Sequence, residues 1–360
     1  MIMTVDVPTH LCDRGRHGDA DAQAGLVDFA VNVRPGPPEF VARALRARIA
    51  DLAAYPSSAE TDVVVRQIAD LHGRRPDEVL LLGGAAEGFE LLARLAPRHV
   101  ALIQPSFTEP ERVLAASGAR ISHVMPDAPW RLADATVPDD ADLVVLGNPT
   151  NPTSVLHPAG DVHALRRPGR IVVVDEAFAD LTLDGDRLEP ESVAAESADD
   201  LIVLRSITKT FGLAGLRAGY LLAAPELITA MTAGRRHWAV GTLTLAALAV
   251  CLGAEGHEYA RGQAHEVAAE RAHLVERLAE IGLTTQADPR APYVLVRVPD
   301  AWRWKQELAE RGFSVRSCAN FHGLTGDHLR LAVRPREVCD ALVAAMQDVK
   351  NRFETGAPTR

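Results

Sequence analysis

The segment from Ser206 to Arg217 carries the residue types needed to bind an aldehyde and a phosphate. An apolar run, Leu201–Leu204, leads into Ser206, Thr208 and Lys209, and a glycine-rich turn follows. A neutral lysine amine attacks an aldehyde, and hydroxyls with a guanidinium hold a phosphate. The segment therefore predicts a nucleophilic Lys209 beside a phosphate site. The alternative, a surface lysine in a loop, leaves its neighbours unexplained.

Two further polar side chains follow apolar runs. Asp175 ends the run that begins at Val172, and Asn151 follows Leu143–Leu146 within an Asn-Pro-Thr-Asn-Pro stretch. A buried carboxylate can pair with a protonated pyridine nitrogen, and an amide can donate to a phenolate oxygen. Taken singly, Asp175 fits a helix cap and Asn151 fits a turn. Beside Lys209, both are candidate site residues.

A third candidate is the stretch Gly83-Gly84-Ala85-Ala86, which joins an apolar run to a helical pattern. Backbone N–H groups at the start of a helix have no partner within the helix and bind phosphate well. The G-x-G-x-x-G spacing of dinucleotide-binding folds is absent, so a Rossmann interpretation is not favoured. We expect Ala85 and Ala86 to contact a phosphate.

Six short apolar runs alternate with amphipathic helical segments in the first two thirds of the chain. These runs are Val79–Leu82, Val100–Ile103, Ile121–Val124, Leu143–Leu146, Ile171–Val174 and Leu201–Leu204. Strands that are apolar on both faces and separated by helices predict an α/β fold with a mainly parallel central sheet flanked by helices. Such sheets bind ligands at the carboxyl ends of their strands, where the candidate residues lie.

The pattern changes after residue 254. A long charged helical segment is followed by strand-like and helix-like segments in alternation, which predicts a smaller α+β lobe. These segments are Glu255–Glu280, Tyr293–Val298, Trp302–Arg311, Leu329–Val333 and a last helix from Pro335. We expect an N-terminal arm (1–39) that packs on the small lobe, a large domain (40–254) and a small C-terminal domain (255–360).

Composition restricts the partners of the protein. The 360 residues carry a formal net charge of −10, which argues against a nucleic-acid or membrane surface. Cys12, Cys251, Cys318 and Cys339 are too far apart for a zinc motif or a disulfide framework, and no metal site is predicted. No signal peptide is visible, and the apolar stretch Trp238–Leu252 is short for a membrane span. We expect a cytoplasmic protein with small-molecule ligands.

In their order and spacing, these segments resemble the fold-type I pyridoxal-phosphate enzymes of the class I/II aminotransferase family, over nearly the whole chain. The resemblance implies pyridoxal 5′-phosphate as cofactor, with Lys209 holding it as a Schiff base, Asp175 at the pyridine nitrogen and Asn151 at the phenolate. Phe107 would stack on the ring, although an aromatic after a strand is often plain core. The phosphate would be held by Ala85, Ala86, Ser206, Thr208 and Arg217.

The resemblance also bears on assembly. Tyr55, in Ala-Tyr-Pro, resembles the tyrosine with which this family reaches the partner subunit's cofactor phosphate, and this implies a homodimer. The alternative is an ordinary loop tyrosine. Two positions depart from the family: Phe178 stands where many relatives have a tyrosine that donates to the phenolate, and Ser154 replaces the usual glycine after Asn-Pro-Thr.

The small lobe indicates a phosphorylated amino substrate. The stretches around Arg316 and Arg330 resemble cobalamin-pathway threonine-phosphate decarboxylases and, more loosely, histidinol-phosphate aminotransferases. The opening segments with His17 and Asn32 resemble the same branch, and the four residues would bind the substrate. Asp19 departs from the His-Gly-Gly form of that branch, and for isolated arginines the alternative is a solvated face.

The two reactions differ in the Cα bond that breaks, which is the bond held perpendicular to the cofactor ring. If Arg316, Arg330 and His17 hold a phosphate, the carboxylate is free to leave; if Arg330 holds a carboxylate, transamination follows. We expect decarboxylation of threonine phosphate, with transamination as the alternative. A non-catalytic ligand sensor is not favoured because Lys209 is present.

Overall fold

The computed structural model describes residue 13 and residues 15–355; Cys12 lies outside this part of the chain. The strands are β1 (Val27–Phe29), β2 (Val79–Leu82), β3 (His99–Ile103), β4 (Arg120–Val124), β5 (Leu143–Gly147), β6 (Ile171–Asp175), β7 (Leu183–Asp184), β8 (Arg187–Leu188), β9 (Leu201–Ser206), β10 (Gly219–Leu222), β11 (Tyr293–Arg297), β12 (Phe313–Ser317) and β13 (His328–Ala332). The α-helices are α1 (Glu39–Ala47), α2 (Ser58–His72), α3 (Ala85–Leu92), α4 (Glu109–Ala116), α5 (Ala159–Ala164), α6 (Pro225–Thr232), α7 (Thr242–Cys251), α8 (Ala254–Glu280), α9 (Ala301–Glu310) and α10 (Arg336–Thr355).

The larger sheet has seven strands in the order β2-β10-β9-β6-β5-β3-β4. All neighbours from β9 to β4 are parallel, and only β10 runs antiparallel to both of its neighbours. The predicted α/β fold with a mainly parallel sheet is confirmed. All six predicted runs form strands of this sheet, whereas β10 was not predicted.

Alternate residues of the central strands enter two separate cores. Val144 and Leu146 of β5 belong to one hydrophobic cluster, and Leu143 and Val145 belong to another. Successive side chains of a strand point to opposite faces, so both faces of the sheet are covered. This double covering explains why these runs are apolar throughout rather than alternating.

A second sheet of four strands, in the order β1-β12-β13-β11, forms the centre of the small lobe. Strand β1 comes from the N-terminal segment and pairs in parallel with β12, with Val27 opposite Phe313 and Phe29 opposite Val315. The other pairs are antiparallel. The N-terminal segment thus contacts the small lobe; the domain boundaries remain predictions.

The apolar stretch Trp238–Leu252 contains α7, which begins at Thr242 after Gly241. Most of its side chains are buried, including Leu245, Ala247 and Leu248. Among residues 15–355, we find no helix that combines the length and the apolar character of a membrane span.

Ser154, which replaces a glycine of the family pattern, adopts the left-handed conformation with a φ of +65°. This conformation costs a non-glycine residue roughly 1–2 kcal/mol. The Ser154 hydroxyl accepts a hydrogen bond from the Ala291 backbone N–H at 2.8 Å, and its carbonyl accepts one from Arg290 N at 2.8 Å. These contacts to the segment before β11 retain the turn despite the serine.

Candidate active site

Two adjoining cavities lie where the carboxyl end of the large sheet meets the small lobe. The inner cavity, of about 190 Å³, is lined at strand ends by Gly147, Asp175 and Ser206. The outer cavity, of about 340 Å³, is lined by the N-terminal segment and by Arg316 and Arg330 of the small lobe. The residues that line both are Phe107, Asn151, Phe178, Lys209 and Arg217.

Lys209 lies between the two cavities, in the loop after β9. Its carbonyl accepts a hydrogen bond from Arg34 N at 2.9 Å, and its Nζ lies 5.6 Å from the centre of the Phe178 ring. Burial, and next the positive charge of Arg330, lower the pKa of Lys209 to about 8. A large fraction of the amine is therefore neutral at mildly alkaline pH, as a nucleophile requires.

Asp175 and Asn151 lie at the carboxyl ends of adjacent strands, as predicted. Burial raises the pKa of Asp175 to about 6, although a hydrogen bond from the Ala177 backbone N–H at 3.1 Å opposes the shift. A carboxylate in this position is stabilised by a cation placed against it. Asn151 Oδ1 accepts a hydrogen bond from Arg330 Nη1 at 2.6 Å, so its Nδ2 is the end that can donate to a ligand.

One end of the inner cavity collects hydrogen-bond donors suited to an anion. Arg217 has a φ of +58°, and a Cβ built on Gly84 would lie 2.8 Å from its Nη2, so the glycine permits this close approach. The start of α3, two hydroxyls and this guanidinium face the same space. The predicted phosphate residues are all brought together there: Ala85, Ala86, Ser206, Thr208 and Arg217.

Aromatic side chains form the walls between the cavities. The Phe107 and His17 ring centroids lie 5.2 Å apart, and the Tyr293 and Phe178 rings pack at an interplanar angle of 77° with centroids 5.1 Å apart. The Tyr293 hydroxyl donates to the Thr150 carbonyl at 3.1 Å. Phe178 therefore contributes an apolar surface to the inner cavity, and a flat ring fits between such walls.

Arg330 of the small lobe is hydrogen-bonded to Asn151, a residue that lines the inner cavity. It is 5% exposed, and besides Asn151 it donates from Nη2 to the Ala30 carbonyl at 2.5 Å. With its amide oxygen turned toward the guanidinium, Asn32 accepts from Arg330 Nε at 3.1 Å and Nη1 at 3.2 Å. Burial lowers the pKa of Arg330 to about 10, which leaves it charged at neutral pH.

Arg316 lies directly opposite Arg330 in the β12–β13 pair, so both side chains share a face of the small sheet. Its guanidinium is already bonded: Nη1 donates to Asp21 Oδ2 at 3.0 Å and Nη2 to Asn320 Oδ1 at 2.9 Å. Arg316 lines the outer cavity, but its guanidinium is already paired with a buried carboxylate. Its role in binding substrate stays a prediction.

His17 and Asp19 also line the outer cavity, on the N-terminal segment. His17 Nε2 lies 3.5 Å from Glu109 Oε2 of α4. Gly18 lies between His17 and Asp19 in the sequence and packs closely against the backbone of Ala30. A Cβ at this position would lie 2.8 Å from the Ala30 carbonyl oxygen. The segment thus brings an imidazole and a carboxylate to the same cavity as Arg330.

Tyr55 is the predicted site residue that the single chain does not bring to the others. It is 75% exposed, lines neither cavity and stacks on Trp238 with centroids 4.3 Å apart. A contact with a partner subunit therefore stays a prediction.

Sequence reasoning missed the buried residues that support the cavities. Asp21 and Asn320 hold the Arg316 guanidinium, and Tyr293 supports the wall at Phe178. Asp21 belongs to an unremarkable Asp-Ala-Asp stretch, and its partner is distant in sequence. No local signal distinguishes it from a solvated carboxylate.

Comparison with known proteins gives a consistent family. The family described as "Aminotransferase class I and II" matches residues 24–346. A histidinol-phosphate aminotransferase of Mycobacterium tuberculosis is 47% identical over 93% of this chain and 91% of its own length. A threonine-phosphate decarboxylase of Salmonella typhimurium is 30% identical over 90% of this chain and 91% of its own length.

Solved structures agree on the fold. The histidinol-phosphate aminotransferase of Clostridium acetobutylicum superposes with a TM-score of 0.80 at 24% identity, covering 91% of this chain and 100% of that one. The L-threonine-O-3-phosphate decarboxylase of Porphyromonas gingivalis gives 0.79 at 18% identity, with the same coverage of 91% and 100%. At these identities the likeness bears on architecture alone.

The cavity residues fit pyridoxal 5′-phosphate. The inner cavity offers a lysine amine with a lowered pKa, a carboxylate with a raised pKa, and an anion-binding end built from a helix start, hydroxyls and a guanidinium. An aldehyde, a pyridine nitrogen and a phosphate are the groups these side chains would complement. The chain belongs to the class I and II aminotransferase family, whose enzymes depend on pyridoxal 5′-phosphate.

Proposed function

We propose that this protein is an aminotransferase that acts on a phosphorylated amino alcohol, with L-histidinol phosphate as the first substrate to test. The observation that carries the proposal is 47% identity with a histidinol-phosphate aminotransferase over 93% of the chain. The decarboxylase relative is only 30% identical. The comparisons thus favour transamination over the threonine-phosphate decarboxylation that we expected from the sequence.

Three side chains that line the inner cavity would have distinct roles in this reaction. Bound pyridoxal phosphate would supply a carbonyl that takes up the amino group and a ring that accepts electrons from the bond broken at Cα. Lys209, with its pKa near 8, would hold the cofactor and then carry the proton that leaves Cα. Asp175 would keep a proton on the pyridine nitrogen, and Asn151 would donate from Nδ2 to the phenolate.

The outer cavity matches the charges of histidinol phosphate. Arg330 of the small lobe and His17 of the N-terminal segment would bind the substrate phosphate. The Asp19 carboxylate, lining the same cavity, could accept a hydrogen bond from an imidazole N–H. Threonine phosphate has no imidazole and carries a second anionic group, which Asp19 would repel. This arrangement supports a substrate with one anionic end.

A single-turnover comparison tests the function. Cofactor-loaded protein is mixed with L-histidinol phosphate or L-threonine O-3-phosphate, and cofactor absorbance and released carbon dioxide are followed together. We expect histidinol phosphate to convert the cofactor to its amino form without carbon dioxide. The Asp19→Asn variant should lose selectivity between the two substrates.

Two results would contradict the proposal. Carbon dioxide released from threonine phosphate at a rate above that of any amino transfer would establish a decarboxylase. No reaction with either substrate, from protein that carries a full complement of cofactor, would exclude phosphorylated amino compounds of this type.

We also propose a homodimer in which Tyr55 contacts the partner subunit's cofactor phosphate. Tyr55 stacks on Trp238 and both are more than half exposed, as are Ile49 and Leu52 a few residues before Tyr55 in the chain. Contiguous exposed apolar groups are typical of an interface. A second subunit that covered them would also bring the Tyr55 hydroxyl near another protein surface.

The Tyr55→Phe variant should bind cofactor about tenfold more weakly, because a hydrogen bond to a charged group contributes about 1.5 kcal/mol or more. Cofactor affinity is measured by absorbance titration of the apoprotein, and the assembly by analytical ultracentrifugation. Tyr259→Phe, which lies away from both cavities, is the control and should bind normally. Sedimentation of the wild type as a monomer, or unchanged affinity in Tyr55→Phe, would refute the proposed contact.

A reducing, cytoplasmic location is part of the proposal. Cys251, Cys318 and Cys339 are buried free thiols in the described chain. Unpaired buried cysteines are common in proteins of reducing compartments. The net charge of −10 likewise supports small molecules, rather than nucleic acid, as ligands.

A further inference from the structure

Two histidines and a glutamate converge outside the two cavities. His123 of β4 and His322 of the loop after β12 both direct Nε2 at the Glu111 carboxylate of α4, at 3.1 Å from Oε1 and 2.7 Å from Oε2. The imidazole rings stack with centroids 3.7 Å apart. One ligand atom from each of the three residues lies within 4.8 Å of those of the other two.

The donor set has the chemistry of a transition-metal site. Two imidazoles and one carboxylate are a combination that zinc accepts while a fourth position stays open to water. Zinc takes nitrogen and oxygen ligands at about 2.0–2.2 Å in a tetrahedral arrangement, which places neighbouring ligand atoms roughly 3.3 Å apart. The separations of 3.1 and 2.7 Å between the ring nitrogens and the Glu111 oxygens lie close to that spacing. The three side chains are 12–28% exposed and His123 is the most exposed of them, so a cation can reach the site from solvent.

We propose that Glu111, His123 and His322 form a binding site for a divalent cation of the zinc class. The site is separate from the catalytic residues, because none of the three lines the inner or the outer cavity. The three ligands come from a helix, an edge strand and a distant loop. They therefore show no Cys-x-x-Cys or His-x-x-x-His spacing in the sequence. This explains why the sequence predicted no metal site.

A cation at this position would join the two lobes. Strand β4 is the last strand of the large sheet, whereas His322 belongs to the small lobe. The residue before His322, Phe321, lines the outer cavity, and Gly323 packs closely on the Met125 side chain beside β4. Metal binding would therefore fix one wall of the outer cavity against the edge of the large sheet.

The test measures Zn²⁺ binding to the cofactor-loaded enzyme by competition with a chromophoric chelator, in phosphate-free buffer. We expect one equivalent of tightly bound zinc. His123→Ala, His322→Ala and Glu111→Gln should each weaken binding by more than about 100-fold, because changes in the outer shell alone cost 10–100-fold. His163→Ala is the matched control: His163 bonds a single carboxylate, Glu196, at 2.7 Å and should leave binding unchanged.

A second measurement needs no variant. Zinc should protect His123 and His322, but not His163, from modification by diethylpyrocarbonate in the wild-type enzyme, as located by mass spectrometry. Wild-type protein that binds no more zinc than the His322→Ala variant, or equal modification of all three histidines with and without zinc, would overturn the proposal.

Discussion

Replacement of Lys209 with alanine is expected to lower turnover by more than about 10⁴-fold, since positioned proton transfer alone contributes up to that factor. The same change should remove the visible absorbance of the lysine-linked cofactor. Both effects follow from the position of the amine between the two cavities and from its pKa of about 8. Turnover and absorbance are measured on the purified variant incubated with excess cofactor.

The chain offers an unusually clean control for this experiment, because it contains only three lysines: Lys209, Lys305 and Lys350. Lys350 donates to the Ile281 carbonyl at 2.7 Å and lines neither cavity, so Lys350→Ala should keep both activity and colour. Borohydride reduction followed by peptide mapping identifies the modified lysine directly. A coloured Lys209→Ala protein, or modification mapped to another lysine, would exclude the assignment.

Replacement of Asp21 with asparagine is expected to destabilise the protein by about 3–5 kcal/mol, the cost typical of removing one partner from a buried ion pair. Asp21 is fully buried and bonds Lys305 Nζ at 2.5 Å, Arg316 Nη1 at 3.0 Å and Arg16 Nη2 at 2.6 Å. Loss of its charge leaves buried cations without a counter-charge. Urea unfolding gives the change in free energy, and the exposed pair Asp139–Arg167 supplies the control Asp139→Asn, which should unfold like the wild type.

The effect of Asp21 should depend on pH. Burial alone would raise the pKa of Asp21, but Lys305 and Arg316 more than offset this, so its pKa lies below the ordinary value of 3.8. A carboxylate with a lowered pKa contributes stability above its unfolded-state pKa and loses it as the pH falls. The stability difference between wild type and Asp21→Asn should therefore be constant near neutrality and shrink in acid. A difference that grows in acid would contradict this account.

The sequence predicted the parts of the fold whose signal is local. Five of the six predicted runs are apolar on both faces, whereas the run in the edge strand β4 carries Ser122 and His123 between Ile121 and Val124. Strand β10 was missed because it begins at Gly219 and directly follows a glycine-rich turn whose sequence is typical of a loop. It also runs antiparallel, which the alternation of strands and helices does not predict.

The site residues likewise fall into those that a local sequence signal identified and those that it could not identify. Lys209, Asp175 and Asn151 were identified because each follows a strand, and strand ends of one parallel sheet meet at one edge. The partners of Arg316 could not be identified, since pairing of Asp21 with a side chain almost 300 residues away depends on how the N-terminal segment meets β12. The same holds for Glu111, His123 and His322.

Helix α8 contributes side chains to the hydrophobic cores of both lobes. Ala260, in its first two turns, belongs to the core of the large sheet, whereas Leu274 and Leu278 belong to the core of the small lobe. A continuous helix forms and melts cooperatively. Unfolding of the part of α8 that packs in one core would therefore destabilise the part that packs in the other. The two lobes are consequently expected to behave as one thermodynamic unit, with a single heat-absorption peak on unfolding rather than two.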